Sequence, residues 1–148
     1  MVSIKTVTDL LQEVCGYMSV TVQYTEARKQ SLNIKDGFFA PVICLYSKKT
    51  NDVINSETNK YIKSYVLSVL VIKKTKLDNS QDFINLTQSE CEQIKDEFMY
   101  RLNNEDSVSS ITSNTTEFVE NLLDQNYTGV SISFNLELFE NADFCQFE

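Results

Sequence analysis

The most constraining stretch of this sequence is residues 129–139, which read GVSISFNLELF. Apolar and polar residues alternate along it without interruption. The apolar set is Val130, Ile132, Phe134, Leu136 and Leu138. Because side chains of a β-strand point alternately to its two faces, this alternation predicts a strand with one buried and one solvent-facing side. The stretch follows a polar turn and comes late in the chain, so we expect it to complete a sheet that begins much earlier.

Two amphipathic segments predict helices. Residues 7–18 place apolar side chains at the three- and four-residue intervals of a core-facing helix, and Thr6 with Asp9 fits a capping box. Residues 87–103 repeat the apolar stripe and begin with a second capping pattern, TQSE. The preceding residues 78–86 either extend this second helix or form a separate turn.

Three strands are predicted in the first half of the chain, at 19–25, 38–46 and 60–74. The second reads FFAPVICLY, and such an apolar run predicts burial on both faces. Its Pro41 cannot donate a ladder hydrogen bond, so the regular strand should begin near it or lie at a sheet edge. The third is the longest, and its middle is expected at the centre of the sheet.

Two polar segments separate these strands, at 26–37 and 47–60. We predict both as loops or extended arms that can reach a neighbouring molecule. Residues 104–126 are more ambiguous. Within them 107–113 fits a strand, whereas 116–123 fits either a helical turn or a strand. The strand is favoured for 116–123, because a short polar connection then joins it to 129–139 as an antiparallel hairpin.

These elements follow the order αβββαβββ, which is typical of an α+β protein. A chain of 148 residues corresponds to about one domain. We therefore predict a single domain over 1–148, with a mainly antiparallel sheet and two principal helices packed on one face.

The residue types present argue against catalysis and metal binding. The chain has no histidine, which removes the commonest general base and metal ligand. The four cysteines are Cys15, Cys44, Cys91 and Cys145. They are too far apart in the sequence for a metal knuckle, so we expect reduced thiols, several of them buried. No phosphate-binding, dinucleotide-binding or hydrolase motif is present, and we predict no enzyme activity, no cofactor and no metal.

The charge is unevenly distributed. Residues 1–101 contain all 13 Lys and Arg against 12 acids, a net of +1, and residues 102–148 contain nine acids and no base, which gives the total of −8. We do not expect such a chain to bind nucleic acid by counterion release. There is also no apolar run near 18 residues, and the N-terminal segment reads as an amphipathic helix rather than a signal peptide. No membrane association is expected.

The order of these elements resembles the tail-terminator and tail-completion proteins of tailed bacteriophages. The resemblance rests on FAPVICLY at 39–46, on the long strand over 65–72, and on GVSISF at 129–134 followed by DFC at 143–145. It implies an α+β structural subunit without catalytic activity that forms a homo-oligomeric ring of six or twelve copies in the virion neck or tail, assembled in the host cytoplasm. Its implied partners are portal or connector and tail proteins, with DNA passing through without specific binding.

A ring built from identical contacts needs two complementary surfaces on each subunit. The basic loops and the acidic C-terminal third meet this requirement. The charged residues that we expect at such contacts are Arg28, Lys29, Lys35, Lys48, Lys49, Glu137, Glu140 and Asp143. The alternative function is a small acidic cytosolic protein-binding module, or an inhibitor that mimics nucleic acid.

Overall fold

The computed structural model describes residues 2–26, 41–55, 57, 60–75, 80–122 and 127–139. The elements are α1 (Ile4–Gly16), β1 (Gln23–Glu26), β2 (Val42–Asn55), β3 (Lys60–Lys74), α2 (Gln81–Asn103), β4 (Val108–Leu122) and β5 (Tyr127–Leu138). The five strands form one sheet in the order β1-β2-β3-β5-β4. Strand β1 is parallel to β2, and all other neighbouring pairs are antiparallel. The predicted α+β class with a mainly antiparallel sheet is confirmed.

Strand β3 is the central strand, as its length and alternation predict. It pairs with β2 on one side and with β5 on the other. Its side chains Leu67, Val69 and Val71 are fully buried on one face, and Leu70 and Ile72 are fully buried on the other. A strand that is apolar on both faces is stable only in the interior of a sheet, which is why β3 lies there.

Both described helices pack on one face of the sheet, hereafter the helix face. The main core joins α1 and α2 to alternate residues of β2, β3 and β5. The apolar set of the opening stretch, from Val130 to Leu138, lies within this core with at most 3% exposure. The predicted placement of the two helices on one side is therefore confirmed, and the alternation in 129–139 reports the buried side correctly.

The opposite face of the sheet, hereafter the second face, carries a smaller apolar cluster. Its members are Val42, Cys44, Leu70, Ile72 and Tyr127, with Tyr46 and Val119 packed against them. Toward the other end of the strands this face becomes polar. Ser47, Ser68, Ser133 and Thr115 stand opposite one another on four successive strands. Among them the hydroxyls of Ser68 and Ser133 are hydrogen-bonded at 2.9 Å.

Both helices begin earlier than predicted. The cap of α1 is Ser3, whose hydroxyl accepts from the Thr6 amide while the Thr6 hydroxyl accepts from the Ser3 amide. The predicted box of Thr6 with Asp9 is wrong, because Asp9 instead pairs with Lys5 at 2.6 Å. A capping box requires an N-cap one turn ahead of its partner, and Ser3 meets this requirement upstream of the apolar stripe.

The cap of α2 is Ser80, whose hydroxyl accepts from the Phe83 amide at 3.2 Å. Residues 81–86 therefore extend the helix, which was one of the two alternatives. Thr87 is an interior residue whose buried hydroxyl donates to the Phe83 carbonyl at 2.9 Å, so the predicted start at Thr87 is wrong. The buried stripe of α2 already begins at Ile84, seven residues before Cys91. Seven residues are nearly two helical turns, so Ile84 and Cys91 lie on the same face of one continuous helix.

Residues 42–45 of the FAPVICLY stretch form the buried part of β2. The strand begins at Val42, directly after Pro41, and residues 42–45 are at most 3% exposed on either face, as predicted. Residues 38–40 lie outside the described residues. The strand predicted at 19–25 is shorter and later, and β1 is anchored at its first residue by a hydrogen bond from the Gln23 amide to the Pro41 carbonyl.

Within the segment 47–60, residues 47–55 and residue 60 are strand rather than loop. Residues 47–55 continue β2 and pair with β3 as far as the pair Asn55 and Lys60. A bulge at Tyr46 separates this polar half of β2 from the buried half. The loop prediction was wrong because the polarity of the segment was interpreted as lack of structure. Residues 47–55 are polar because both faces of this part of the strand are largely exposed to solvent. Of the other predicted arm, 26–37, Glu26 ends β1 and residues 27–37 lie outside the described residues.

Residues 108–122 form one 15-residue strand, β4, rather than the two strands predicted. Its hairpin with β5 confirms the strand alternative for 116–123, apart from residue 123, which is not described. Irregularities in pairing occur at Val108/Ser110, Thr112/Thr115 and Val119/Leu122. Ser113, with φ of 56°, lies at the middle irregularity. The sequence alternation breaks there because β4 holds one extra residue relative to β5, and this bulge does not interrupt the strand.

Candidate interaction surfaces

Three of the eight charged residues predicted at contacts lie in described strands. Lys48 and Lys49 lie on β2, and Glu137 lies on β5. The other five lie outside the described residues: Arg28, Lys29, Lys35, Glu140 and Asp143.

Lys48 and Lys49 do not form a single basic patch. Lys48 pairs in register with Leu67 of the helix face, whereas Lys49 pairs with Val66 of the second face. Lys48 makes an ion pair with Glu26 at 3.5 Å, and the two side chains are 50% and 40% exposed. Such an exposed pair contributes little to stability, about 0–1 kcal/mol.

Lys49 and Glu137 share the second face but do not meet. Lys49 is in register with Val66, which is in register with Asn135, and Glu137 lies two residues beyond Asn135. Two strand spacings and two residues separate their Cα atoms by about 12 Å. The structure thus places both on one surface without an ion pair between them, and each is available to a neighbouring molecule.

A two-stranded ribbon projects from one end of the sheet. We define the ribbon as residues 51–55 of β2 and 60–64 of β3. Within the described chain, residues 60–64 of β3 pair with β2 only, because pairing with β5 starts at Tyr65. Val53 is 53% exposed and Ile54 is 63% exposed. Neighbouring residues of a strand point to opposite faces, so the ribbon presents an aliphatic side chain on each side.

A second exposed apolar side chain lies on the edge strand β4. Phe118 is 51% exposed and lies on the helix face, in register with Val130, whereas the exposed Glu117 before it is in register with Ser131 of the second face. We define the Phe118 segment as residues 115–120. Residues 115–119 pair without interruption with β5, between two of the irregularities. Phe118 was not predicted as a surface residue, although an aromatic residue between acids in a polar strand is a signal that the sequence offers.

A polar cluster joins α2 to the segment that follows α1. The Glu97 carboxylate accepts from the Ser19 amide at 2.8 Å and from the Ser19 hydroxyl at 2.5 Å, and Arg101 Nε donates to it at 2.7 Å. These donors, those of Ser19 first, lower the pKa of Glu97. This cluster was not predicted from sequence, because Ser19 and Glu97 are far apart along the chain.

Glu97 also lines an open cavity of about 360 Å³ beside α2. The cavity is lined by Ser19, Val20, Pro41, Lys73, Glu90, Gln93, Ile94 and Glu97. Its second carboxylate, Glu90, makes an ion pair with Lys73 at 3.4 Å. Both carboxylates thus already have partners. Glu97 links α2 to Ser19, and Glu90 links α2 to Lys73 of β3, so neither is a free acid or base group.

The described cysteines are dispersed and buried. Cys15, Cys44 and Cys91 are not part of a disulfide and are at most 8% exposed, which confirms burial for these three. Burial raises the pKa of Cys15 and of Cys91 to about 12, so both are protonated at neutral pH. Cys145 lies outside the described residues. In the described part of the chain no three Cys, Asp or Glu side chains are grouped so that they could hold a metal ion.

Neither described helix is long and apolar enough to cross a membrane. Comparison with known protein families gives no match, and a search of curated proteins gives none either.

Proposed function

We propose that this chain is a structural virion protein of a tailed bacteriophage, a ring-forming subunit of tail-terminator or head–tail connector type that joins portal and tail. In this proposal it has no catalytic activity and its first partner is a second copy of itself. The resemblance described above suggests the class, and the described surfaces support a role in assembly rather than in chemistry.

The projecting ribbon is the observation that carries this proposal. A two-stranded ribbon without a covering layer is at best marginally stable in water. Here it extends the two inner strands β2 and β3 and exposes Val53 and Ile54 by more than half. An assembly in which a neighbouring subunit covers these side chains accounts for their exposure in the single chain.

The separation of charge supports the same function. The described strands β4 and β5 carry acids and no Lys or Arg, whereas the Lys residues of the sheet lie on β2 and on the central strand β3. A ring subunit can use such surfaces against its neighbours, and an acidic lumen would repel DNA that passes through it.

The test is the mass and shape of the purified full-length chain. We expect multi-angle light scattering to give a mass of six or twelve subunits and negative-stain images to show closed rings. Addition of purified portal or tail-tube protein of the same phage should promote ring formation. A chain that stays monomeric up to millimolar concentration, with and without these proteins, would contradict the proposal.

A second function is favoured by the absence of bases after Arg101. The acids Glu117, Glu120 and Glu137 on β4 and β5, which carry no Lys or Arg, also suit a small module that occupies the basic site of a nucleic-acid-binding protein. An affinity capture from infected cells distinguishes the two: portal and tail proteins support the first function, and a DNA-binding enzyme that is displaced by DNA supports the second.

A further inference from the structure

The outer edge of strand β4 is open to further pairing in the described sheet. There β4 has one paired neighbour, β5, and no strand on its other side. Its 15 residues include neither Pro nor Lys, two residues that proteins commonly use to block a sheet edge. A strand edge with open amide and carbonyl groups can receive an extended segment of another chain as an additional strand.

Two irregularities limit the regular part of this edge to residues 115–119. Within this run each residue of β4 has one partner on β5, so the edge is unbroken over about five residues, the usual length of a strand. At the end of the run the Val119 carbonyl already accepts from the Gln88 side chain of α2 at 3.1 Å. The part that stays available is therefore residues 115–118, which lie within the Phe118 segment.

Helix α2 lies beside this edge on the helix face. It contacts β4 through Gln88 and runs in the opposite direction, since only residues 104–107 separate the end of α2 from the start of β4. Glu92 follows Gln88 by one helical turn on the same side of α2, about 6 Å further along. Two residues of a strand span a similar length, so Glu92 is placed at about the level of Glu117 and Phe118.

The two faces of the Phe118 segment differ in their chemistry. On the helix face Phe118 is 51% exposed and in register with Val130. On the second face the exposed Glu117 is in register with Ser131. The side chains of an added strand continue this alternation. Its helix-face side chains would therefore meet an aromatic ring, and its second-face side chains would meet a carboxylate.

The carboxylates near this edge are not neutralised by cations of the described chain. The described residues of β4 and β5 include no Lys or Arg, and neither Glu117 nor Glu92 belongs to an ion pair in the described ranges. On the same side of α2 as Gln88, Lys95 is 13% exposed and is paired with Asp96 at 2.6 Å. The local charge is thus negative and complementary to basic side chains.

We propose that the edge of residues 115–118 is a docking site for an extended segment of another protein, which adds to the sheet beside β4. The segment alternates apolar side chains toward Phe118 with Lys or Arg toward Glu117. A second β4 does not meet this requirement, because it would bring Glu117 and Glu120 of two copies beside one another. This inference does not rest on the proposed function, since a ring subunit and a single chain could both use such an edge.

Short synthetic peptides test the site. The probe TKVKVKT has the proposed alternation, and TEVEVET reverses its charge. A third peptide is TKVKVKT with an N-methylated backbone, which cannot donate ladder hydrogen bonds. Each peptide is titrated into the ¹⁵N-labelled full-length chain, and its affinity is measured from NMR chemical shifts. We expect TKVKVKT to bind at least about tenfold more tightly than either of the other two.

Two variants test the named contacts, each beside a matched control. Phe118→Ser should weaken TKVKVKT binding at least about fivefold, and Glu117→Gln should reduce the preference for TKVKVKT over TEVEVET to a similar extent. Phe83→Ser and Glu13→Gln are the controls, because Phe83 is 45% exposed near the start of α2 and Glu13 is exposed on α1. Both controls should bind like the wild type, and circular dichroism verifies that all four variants fold.

Hydrogen exchange shows where the peptide lies. In the complex the outward-facing amides within residues 115–118 should exchange at least about tenfold more slowly, and those of β1 at the other edge should not change. No binding of TKVKVKT up to millimolar concentration, or equal binding of the N-methylated peptide, would overturn the inference. Protection of residues 115–118 without peptide that is lost on dilution would assign the edge to a second copy, which also overturns it. The mass measurements that test the proposed function are independent of these results.

Discussion

Tyr46 reaches across β3 to place its hydroxyl 2.8 Å from the Ser131 hydroxyl of β5. The bond spans the second face between strands that are not neighbours, and Ser131 is only 6% exposed. Replacement of Tyr46 by Phe removes one partner and leaves the Ser131 hydroxyl short of a bond. We expect the free energy of unfolding to fall by about 1–2 kcal/mol in urea denaturation. An unchanged midpoint would show that the bond contributes nothing.

Tyr65 gives the opposite prediction. Its side chain is 2% exposed, and its hydroxyl has no hydrogen-bond partner in the described part of the chain. Burial of that hydroxyl also raises its pKa. Tyr65→Phe removes a desolvated polar group without breaking a bond, so stability should stay the same or rise by up to about 1 kcal/mol. Both variants are measured under the same conditions. A fall of more than about 1 kcal/mol in the free energy of unfolding of Tyr65→Phe would contradict the expectation.

Gly129 allows β5 to approach β3 closely. A Cβ atom at this position would lie 2.0 Å from the Val71 carbonyl oxygen and 2.9 Å from the Ile72 Cα atom. Both are backbone atoms of the central strand and cannot move aside independently. Gly129→Ala is therefore expected to cost about 3 kcal/mol or more in the free energy of unfolding.

Gly16 is the control for this substitution. A Cβ atom there meets nothing within 4 Å, and the residue ends α1. Gly16→Ala should be neutral or stabilising by about 0.5–1 kcal/mol, because alanine favours the helix more than glycine does. Similar thermal shifts for the two alanine variants would contradict the close approach at Gly129.

Glu97 predicts a pH-dependent contribution to stability. Its pKa is lower in the folded chain than in the unfolded chain, because Ser19 and Arg101 donate to the charged carboxylate. The stabilisation is therefore present above the ordinary glutamate pKa and is lost as the pH falls through the folded value. The side chain is 23% exposed, so we expect Glu97→Gln to cost no more than about 1 kcal/mol at pH 7.

The measurement is urea unfolding of wild type and Glu97→Gln from pH 7 down to pH 3. The difference in unfolding free energy should shrink below the ordinary glutamate pKa. Ser19→Ala supplies the matched variant, since it removes the hydroxyl donor but keeps the amide. A difference that is constant with pH, or that grows on acidification, would contradict this role for the carboxylate.

Period-two alternation predicted the strands well wherever one or both faces are buried. The strand predicted at 60–74 coincides with β3, and the 42–45 part of FAPVICLY is buried as expected. Alternation does not predict a strand that has no buried face. Residues 47–55 of β2 are polar and mostly exposed, so their sequence carries no alternation, and their conformation is set by pairing with β3.

The surfaces were less predictable than the fold for a similar reason. Lys48 and Lys49 are adjacent in sequence, yet strand geometry sends them to different faces. The positions of Phe118 and the ribbon toward opposite ends of the sheet follow from the register over several strands. No local sequence pattern encodes that register. The cluster of Ser19 with Glu97 likewise depends on how α2 lies relative to the end of α1.

The antiparallel ladder between β3 and β5 has a mechanical consequence. Six of its ten register pairs, those of residues 65–70 of β3, lie between the ribbon at one end of the sheet and the level of Phe118, Val130 and Val71 toward the other. A subunit held by neighbours at those two places would carry tension along its strands. Ladder hydrogen bonds run perpendicular to that direction and would be loaded in shear, so that many must break together rather than one after another. The central sheet is thus oriented to resist stretching of any assembly that holds the subunit at its two ends.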